Sequence, residues 1–287
     1  MGTEPGAHAM TANLHEITGH TRFLAIVADP IHHVKTPQRI NALLRGQGID
    51  AVMVPLHVSE TDLATVMDAL RRTQNFFGCV VTVPHKTAAL ALCDEVSDAA
   101  RQIGAVNVVH RMRDGRLRGG MLDGIGFVEG LRGAGIDPKG MAVYLAGAGG
   151  AASAIAFALA EAGVRRLTVA NRSVERAAAL IARLRVQHPG LVAVVGSADP
   201  SGHDLVVNAT SLGLLAGDAL PLDISKVEAH QIVAEIIMDP AETALLKAAR
   251  ERGCRTHEGA PMLASQVRLM ATFMLDQPLP APTPAET

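Results

Sequence analysis

Aromatic side chains are nearly missing: no Trp, one Tyr (Tyr144) and six Phe amount to 2% of the 287 residues. That excludes a site built on stacking nucleobases against ring faces. The interior has to be assembled from Ala, Leu, Val, Ile and eleven Met, within a hydrophobic share of 48%. A basic excess is missing too, because 26 Lys+Arg stand against 28 Asp+Glu for a formal charge of -2, and nothing offsets the phosphate electrostatics of nucleic acid. Cysteine is sparse. Cys79, Cys93 and Cys254 lie far apart and form no CxxC pair, which suits a reducing cytoplasm rather than a disulfide scaffold. The opening stretch MGTEPGAHAMTANLHEITGH has neither a basic start nor an apolar run, so no secretory signal is expected. The stretch from Met141 to Ala160 is uncharged, but Gly147, Gly149 and Gly150 at its centre argue against a membrane span. What remains is a chain of one large or two modest domains that works on a small molecule, with no nucleic-acid or membrane partner.

The hydrophobic pattern predicts an α/β fold. FLAIVAD (Phe23 to Asp29), AVMVPLHV (Ala51 to Val58) and FFGCVVTV (Phe76 to Val83) are short apolar runs with the length and punctuation of buried strands. Between them, Thr36 to Arg45 and about Thr61 to Arg72 carry helical spacing, with Leu63, Val66, Met67 and Leu70 on one face of the second. A helix is expected to start at Lys86. Strand and helix alternate, which predicts a parallel or mixed sheet. A more orderly series opens near residue 123: helix GIGFVEGLRGAG, strand MAVYLAG, helix AASAIAFALAEAG, strand RRLTVANR, helix VERAAALIARLRVQ. LVAVVG, HDLVVNAT and QIVAEII supply three more strands, and ETALLKAARERG a helix after the last. This is the pattern of a doubly wound parallel sheet. From about Gly259 one or two helices, SQVRLMATFML among them, follow no further strand and are expected to pack back on the first part. The tail DQPLPAPTPAET is expected to be extended and uninvolved.

Strand MAVYLA runs into Gly147-Ala148-Gly149-Gly150-Ala151-Ala152 and then a helix, matching GxGxxA. Gly147 allows the tight turn, Gly149 admits a pyrophosphate to the backbone, and Ala152 keeps helix and strand close. The next strand ends in Asn171-Arg172-Ser173 with Arg176 behind, and no carboxylate stands there before Glu175. Guanidinium groups suit a 2′-phosphate, so NADP is expected over NAD.

Other segments look like loops at strand ends. They are Asp29-Pro30-Ile31-His32-His33-Val34-Lys35-Thr36-Pro37, Val81-Thr82-Val83-Pro84-His85-Lys86, and Gly104-Ala105-Val106-Asn107 with Asp123-Gly124-Ile125-Gly126. With the Gly-rich turn, Asn171-Arg172-Ser173, Asn208-Ala209-Thr210-Ser211 and Gln266, they resemble the shikimate dehydrogenase family, in order from about residue 23 to 275. The resemblance implies a substrate domain of residues 20–122 and 257–287, a doubly wound Rossmann NADP-binding domain of residues 123–256, and a cleft between them. It implies reversible oxidation of one ring hydroxyl of shikimate. Lys86 and Asp123 match the family's catalytic Lys and Asp; Thr36, Thr82, Asn107 and Gln266 match its substrate contacts; Gly147, Gly149, Gly150, Ala151, Asn171, Arg172, Ser173, Arg176, Thr210 and Ser211 fall on the cofactor side. An amine and a carboxylate beside the reacting oxygen can relay its proton, and the residues alone do not say which takes it. His85 is expected to be structural, and the doublet His32-His33 is no metal site because adjacent side chains diverge. No metal is expected.

Three positions depart from the family pattern. Val34-Lys35-Thr36 stands where the family has Ser-x-Ser for the substrate carboxylate, Val80 stands for the Asn of GxNVTVP, and Met238 for a Tyr. Each trades a hydrogen-bonding group for an apolar one or reduces it, which should weaken shikimate by about 1 kcal/mol per lost bond and more for a charged group. The expectation is a dehydrogenase with weakened shikimate recognition, as a monomer or homodimer. The alternatives are an ordinary shikimate dehydrogenase in which backbone and Lys35 compensate, a quinate or aminoshikimate dehydrogenase, and a non-catalytic NADP-binding regulator. Retained Lys86 and Asp123 speak against the regulator, which has no need of a proton relay.

Overall fold

The computed structural model describes residues 16–32 and 34–279. The leader before residue 16, His33 of the doublet and the tail from residue 280 lie outside the described residues.

Two six-stranded sheets organise the chain. The first is built on β1 (Arg22–Ala28), which pairs in parallel with β2 (Ala51–His57) on one side and β3 (Phe76–Val81) on the other. β3 continues antiparallel to β5 (Val108–Arg111) and β5 to β6 (Leu117–Gly120), with the short β4 (Glu95–Val96) at the far edge. Side chains alternate across this sheet as the pleat requires. Leu24, Ile26, Val80 and Val108 face one layer, which contains Ile40 and Leu44 of helix α1 (Thr36–Gly46). Ala25, Val27, Cys79, Val81 and Val109 face the other, with Leu63, Met67 and Leu70 of α2 (Leu63–Arg72). Helices α3 (Lys86–Leu90) and α4 (Asp98–Ile103) complete this half, the latter capped by Ser97, whose hydroxyl accepts from the Ala100 amide.

The second sheet is parallel throughout. Its order, written from one edge, is β9 (Val192–Val195), β8 (Arg166–Ala170), β7 (Ala142–Ala146), β10 (Leu205–Asn208), β11 (Ile232–Glu235) and β12 (Arg255–His257). The chain therefore reverses direction across the sheet between β7 and β10, the topological switch point where open α/β sheets receive ligands. Helices α6 (Gly150–Glu161), α7 (Val174–Gln187) and α8 (Ala244–Glu251) cross between its strands.

Helix α5 (Asp123–Gly133) lies between the two halves, against α6 on one side and α9 (Ala260–Leu275) on the other. Its glycines make that approach possible: a Cβ on Gly124 would sit 2.1 Å from the Ala154 oxygen, and one on Gly126 would sit 2.2 Å from Cγ of Gln266. Arg183 of α7 adds a second tie, donating to the Gln102 and Ile103 carbonyls at the end of α4. α9 packs on the first sheet, placing Leu263, Val267, Met270 and Met274 in the cluster with Leu24 and Ile26.

The doubly wound second sheet and the returning C-terminal helix match expectation. Five elements were not anticipated: α4, β4, the β5 and β6 strands of the hairpin, and β12, which follows α8 as a sixth strand. The C-terminal part is a single helix from Ala260, and the tail is not wholly uninvolved, since Leu279 is buried in the same cluster as Met274. Its large side chain finds apolar cover there, whereas proline spacing predicts only backbone shape.

Candidate active site

The carboxyl ends of both sheets open on one cavity of ≈ 370 Å³ with mostly apolar walls. β1 delivers the loop to Val34, Lys35 and Thr36; β3 delivers Thr82; β7 leads into Gly149, Gly150 and Ala151; β10 leads into Thr210 and Ser211; and β11 leads into Met238 and Asp239. α9 contributes Gln266. Val34, Thr36, Val80, Thr82, Asn107, Met238 and Gln266, the residues expected on the substrate side, all line this space.

At its centre Lys86 Nζ donates to Asp123 Oδ2. Lys86 begins α3, directly after the turn that ends β3, and Asp123 begins α5. Asp123 is 4% exposed, and its other oxygen, Oδ1, accepts from Asn107 Nδ2 at 2.6 Å and Gln266 Nε2 at 3.3 Å. Asn107 is fixed in turn, its oxygen accepting from the Leu122 amide at 2.9 Å. A buried carboxylate held by three donors from three separate elements has one orientation, with Oδ2 committed to Lys86. Next door, His85 is buried and its Nε2 is 2.8 Å from the Val58 carbonyl, a tie between loops with no part in the cavity lining.

The opposite wall is the Gly-rich turn. Gly147 has φ 118°, a left-handed backbone only glycine tolerates comfortably, and a Cβ there would sit 2.7 Å from the Ala209 oxygen. Gly149 precedes α6 and has no atom within 4 Å of where a Cβ would stand, so its backbone is open to an approaching group. The amides of the first turn of α6 have no intrahelical partner and carry the positive end of the helix dipole. These features fit a dinucleotide pyrophosphate. Gly150 also brings this turn to the Lys86–Asp123 pair: its Cβ position is 4.0 Å from Cδ of Lys86. Gly147, Asn171, Arg172, Ser173 and Arg176 do not line the cavity. Asn171 donates to the Ser173 carbonyl, Ser173 caps α7 by accepting from the Arg176 amide, and Arg172 and Arg176 are exposed at the end of β8. That position, beyond the pyrophosphate turn on the neighbouring strand, is where an adenosine ribose lies in a doubly wound sheet.

Sequence reasoning passed over Glu235. It is fully buried at the end of β11, and burial pushes its carboxyl above the ordinary carboxylate value. Asn208 Nδ2 donates to it at 2.9 Å, Thr243 Oγ1 at 3.1 Å, and the Ile236 and Ile237 amides at 2.9 and 3.2 Å. Asn208 accepts from Thr210 in the same network, so one carboxylate braces two strips of cavity wall, Ala209 to Ser211 and Ile236 to Met238. A single charge inside the apolar run QIVAEII was the available signal. The ion pair of Lys35 with Asp239, 3.1 Å across the cavity mouth, was likewise not foreseen, since nothing in the sequence brings those loops together.

A dinucleotide turn at the switch point of one sheet, facing a lysine–aspartate pair carried by another, defines a two-part α/β protein of the dinucleotide-dependent kind. Comparison with known proteins makes this specific. Residues 26–109 match the shikimate dehydrogenase substrate binding domain, and residues 134–210 match shikimate / quinate 5-dehydrogenase. A shikimate dehydrogenase (NADP(+)) of Acidiphilium cryptum is 41% identical over 250 residues, 87% of this chain and 89% of that protein. Among solved structures, a shikimate dehydrogenase in complex with NADP+ superposes with TM-score 0.85 at 29% identity, covering 91% of this chain and 92% of that one. The 5-ketofructose reductase of Gluconobacter sp. strain CHM43 superposes with TM-score 0.80 at 31% identity, covering 91% and 95%. The chain belongs to the shikimate dehydrogenase family.

Among the described residues, no helix is long and apolar enough to cross a membrane.

Proposed function

We propose that this chain is an NADP-dependent oxidoreductase acting on the CH–OH group of shikimate or a related cyclic hydroxy compound, with weakened recognition of shikimate itself. The observation that carries this reading is the buried Lys86–Asp123 pair standing across one cavity from Gly149 to Ala151. The backbone of Gly149, Gly150 and Ala151 would hold the pyrophosphate, Thr210 and Ser211 would border the nicotinamide end, and Arg172 and Arg176 would meet the 2′-phosphate. When bound, NADP supplies the hydride acceptor or donor.

The proton belongs to the protein. Lys86 Nζ and Asp123 Oδ2 hold and move the hydroxyl proton, while Asn107 and Gln266 keep Asp123 from turning away. Thr36 and Thr82 supply hydroxyls to the substrate ring, and Asn107 and Gln266 have further hydrogen-bonding capacity for it. Val34, Val80 and Met238 supply none, which supports the weakened recognition. The names of the curated relatives favour the second reading, an ordinary shikimate dehydrogenase. We further assign residues 20–122 and those from 258 on to the substrate domain and 123–257 to the cofactor domain, the boundary falling one residue after the expected 256 because β12 runs to His257, with α5 as their shared wall. Three free thiols, two of them buried, suit the cytoplasm, and the chain works as a monomer or homodimer.

The test is Lys86→Ala and Asp123→Asn. Each should lower turnover by about 100-fold or more while NADP binding holds, because a positioned acid–base group contributes ~10²–10⁴. Near-normal turnover in either variant removes the relay from this pair.

A further inference from the structure

Lys35 and Asp239 reach the cavity from opposite halves of the chain, one in the loop entering α1 and one after β11, and their side chains meet Nζ to Oδ2 at 3.1 Å. The remaining charged residues of the lining are Lys86 and Asp123, which are also paired. Each cation of the lining is therefore already answered by a protein carboxylate, and the other polar side chains there, among them Thr36, Thr82, Asn107 and Gln266, are neutral. A substrate carboxylate entering this space gives up its hydration and finds a single hydroxyl at Thr36 where Val34 has none. If it took Lys35, it would leave Asp239 unpaired beside it, anion against anion. A neutral hydroxylated molecule pays neither cost.

We propose that the Lys35–Asp239 pair sets the charge class of the substrate: the site takes an uncharged hydroxyketone or the corresponding alcohol, and Asp239 is the residue that turns carboxylates away. This rests on the oxidoreductase reading and deepens it. The chemistry balances without further reactants. The alcohol carbon yields a hydride to NADP+ and its oxygen yields a proton through Lys86, so alcohol and NADP+ become ketone, NADPH and H+. Because the pair is half exposed, with side chains 52% and 62% accessible, its own ionic attraction is small, and releasing Lys35 should not unfold the protein.

The experiment uses shikimate and methyl shikimate, which carry the same ring hydroxyls and differ in charge. kcat/KM for NADP reduction is measured with wild type, Asp239→Asn, and the double variant Lys35→Met with Asp239→Asn, together with calorimetric binding of each compound to the NADP-loaded protein. Wild type should favour the ester. Asp239→Asn should raise the acid-to-ester efficiency ratio by about tenfold, mainly through KM, and Lys35→Met in the same chain should cancel the gain. A ratio is insensitive to the fraction of folded protein. Wild type favouring the acid, or a ratio unmoved by Asp239→Asn, overturns the proposal and leaves the oxidoreductase reading standing. Failure of all three proteins to bind or oxidise either compound overturns that reading, and this proposal with it.

Discussion

Val34 and Val80 present methyl groups to the cavity, on the side proposed for the substrate. Val34→Ser with Val80→Asn restores donors there. At ~1 kcal/mol per regained hydrogen bond, and more than one regained, efficiency on shikimate should rise by about one to two orders of magnitude. Wild type already turning shikimate over at rates ordinary for a dehydrogenase, or a double variant with no shift in preference, returns the chain to an ordinary shikimate dehydrogenase. On the cofactor side, Arg172→Ala should weaken NADP far more than NAD, because only NADP has a 2′-phosphate to lose its partner. Equal weakening in a titration with both dinucleotides means the guanidinium serves something else. Lys86, Asp123 and the glycines were legible in the sequence because each stands in a segment of fixed spacing at a strand end. Lys35–Asp239 and Glu235 were not. The first joins loops about two hundred residues apart, and the second is a charge whose four donors are two side chains from other segments and the amides of the two residues that follow it.

Helix α5 carries Asp123, the carboxylate proposed for the proton relay, at its first position and is clasped by helices on two sides, so its small residues are a condition of the site's geometry. Gly124→Ala places a methyl group against backbone, the Ala154 oxygen, which cannot swing aside as a side chain can. Overpacking of this kind costs about 1–3 kcal/mol. It should lower the denaturation midpoint and, by displacing Asp123, lower kcat in the fraction that remains folded. Gly133→Ala is the control, since nothing stands within 4 Å of that Cβ position. If the two variants behave alike in chemical denaturation, the close approach of α5 and α6 is not what fixes the helix. The same scale shows where element reading runs out. The long alternating series from β7 onward is readable because each run is apolar and ends at glycine or a polar pair. The β5–β6 hairpin is not, because RMRDGRLRGG buries Leu117 and two backbone glycines among arginines and has no apolar alternation to detect. β12, only Arg255–His257, is a strand by virtue of its parallel neighbour β11 alone.

At the scale of the molecule, strand registers depend on a few carboxylates that accept backbone amides. Asp204 Oδ2 accepts from the Ala142 amide at 2.7 Å and from Arg165 at 3.0 Å, tying the start of β7 to the loop before β10. The Ala142 amide, and with it Arg165, holds the Asp204 carboxyl below its ordinary value of 3.8. The folded state thus binds this proton less readily than the unfolded chain, so the contribution is present above 3.8 and is lost as pH falls through the folded value. Asp204→Asn should cost about 1 kcal/mol near neutrality, a modest figure because the pair is partly exposed to solvent. Urea titrations at stepped pH should show the gap from wild type closing as the medium becomes more acidic than 3.8. A gap constant over that range assigns the loss to something other than ionisation.

Helix α9 has a consequence for how the chain comes off the ribosome. One face of the first sheet is covered in part by Met270 and Met274 from α9, Arg22 donates to Gln277, 255 residues on, and His110 meets the Met274 carbonyl, 164 residues on, so long stretches of chain separate the partners. While the chain is still being made, Leu24, Ile26 and Val80 have only the cover that Ile40 and Leu44 of α1 supply, because α9 follows every strand and crossing helix of the parallel sheet from β7 to β12 in the sequence. The order of maturation should therefore run against the order of synthesis: the middle closes first, and the beginning waits for the end. A chain cut after residue 257 should leave the α9-facing part of that methyl-rich face available to a chaperone, and a chain that includes α9 should not.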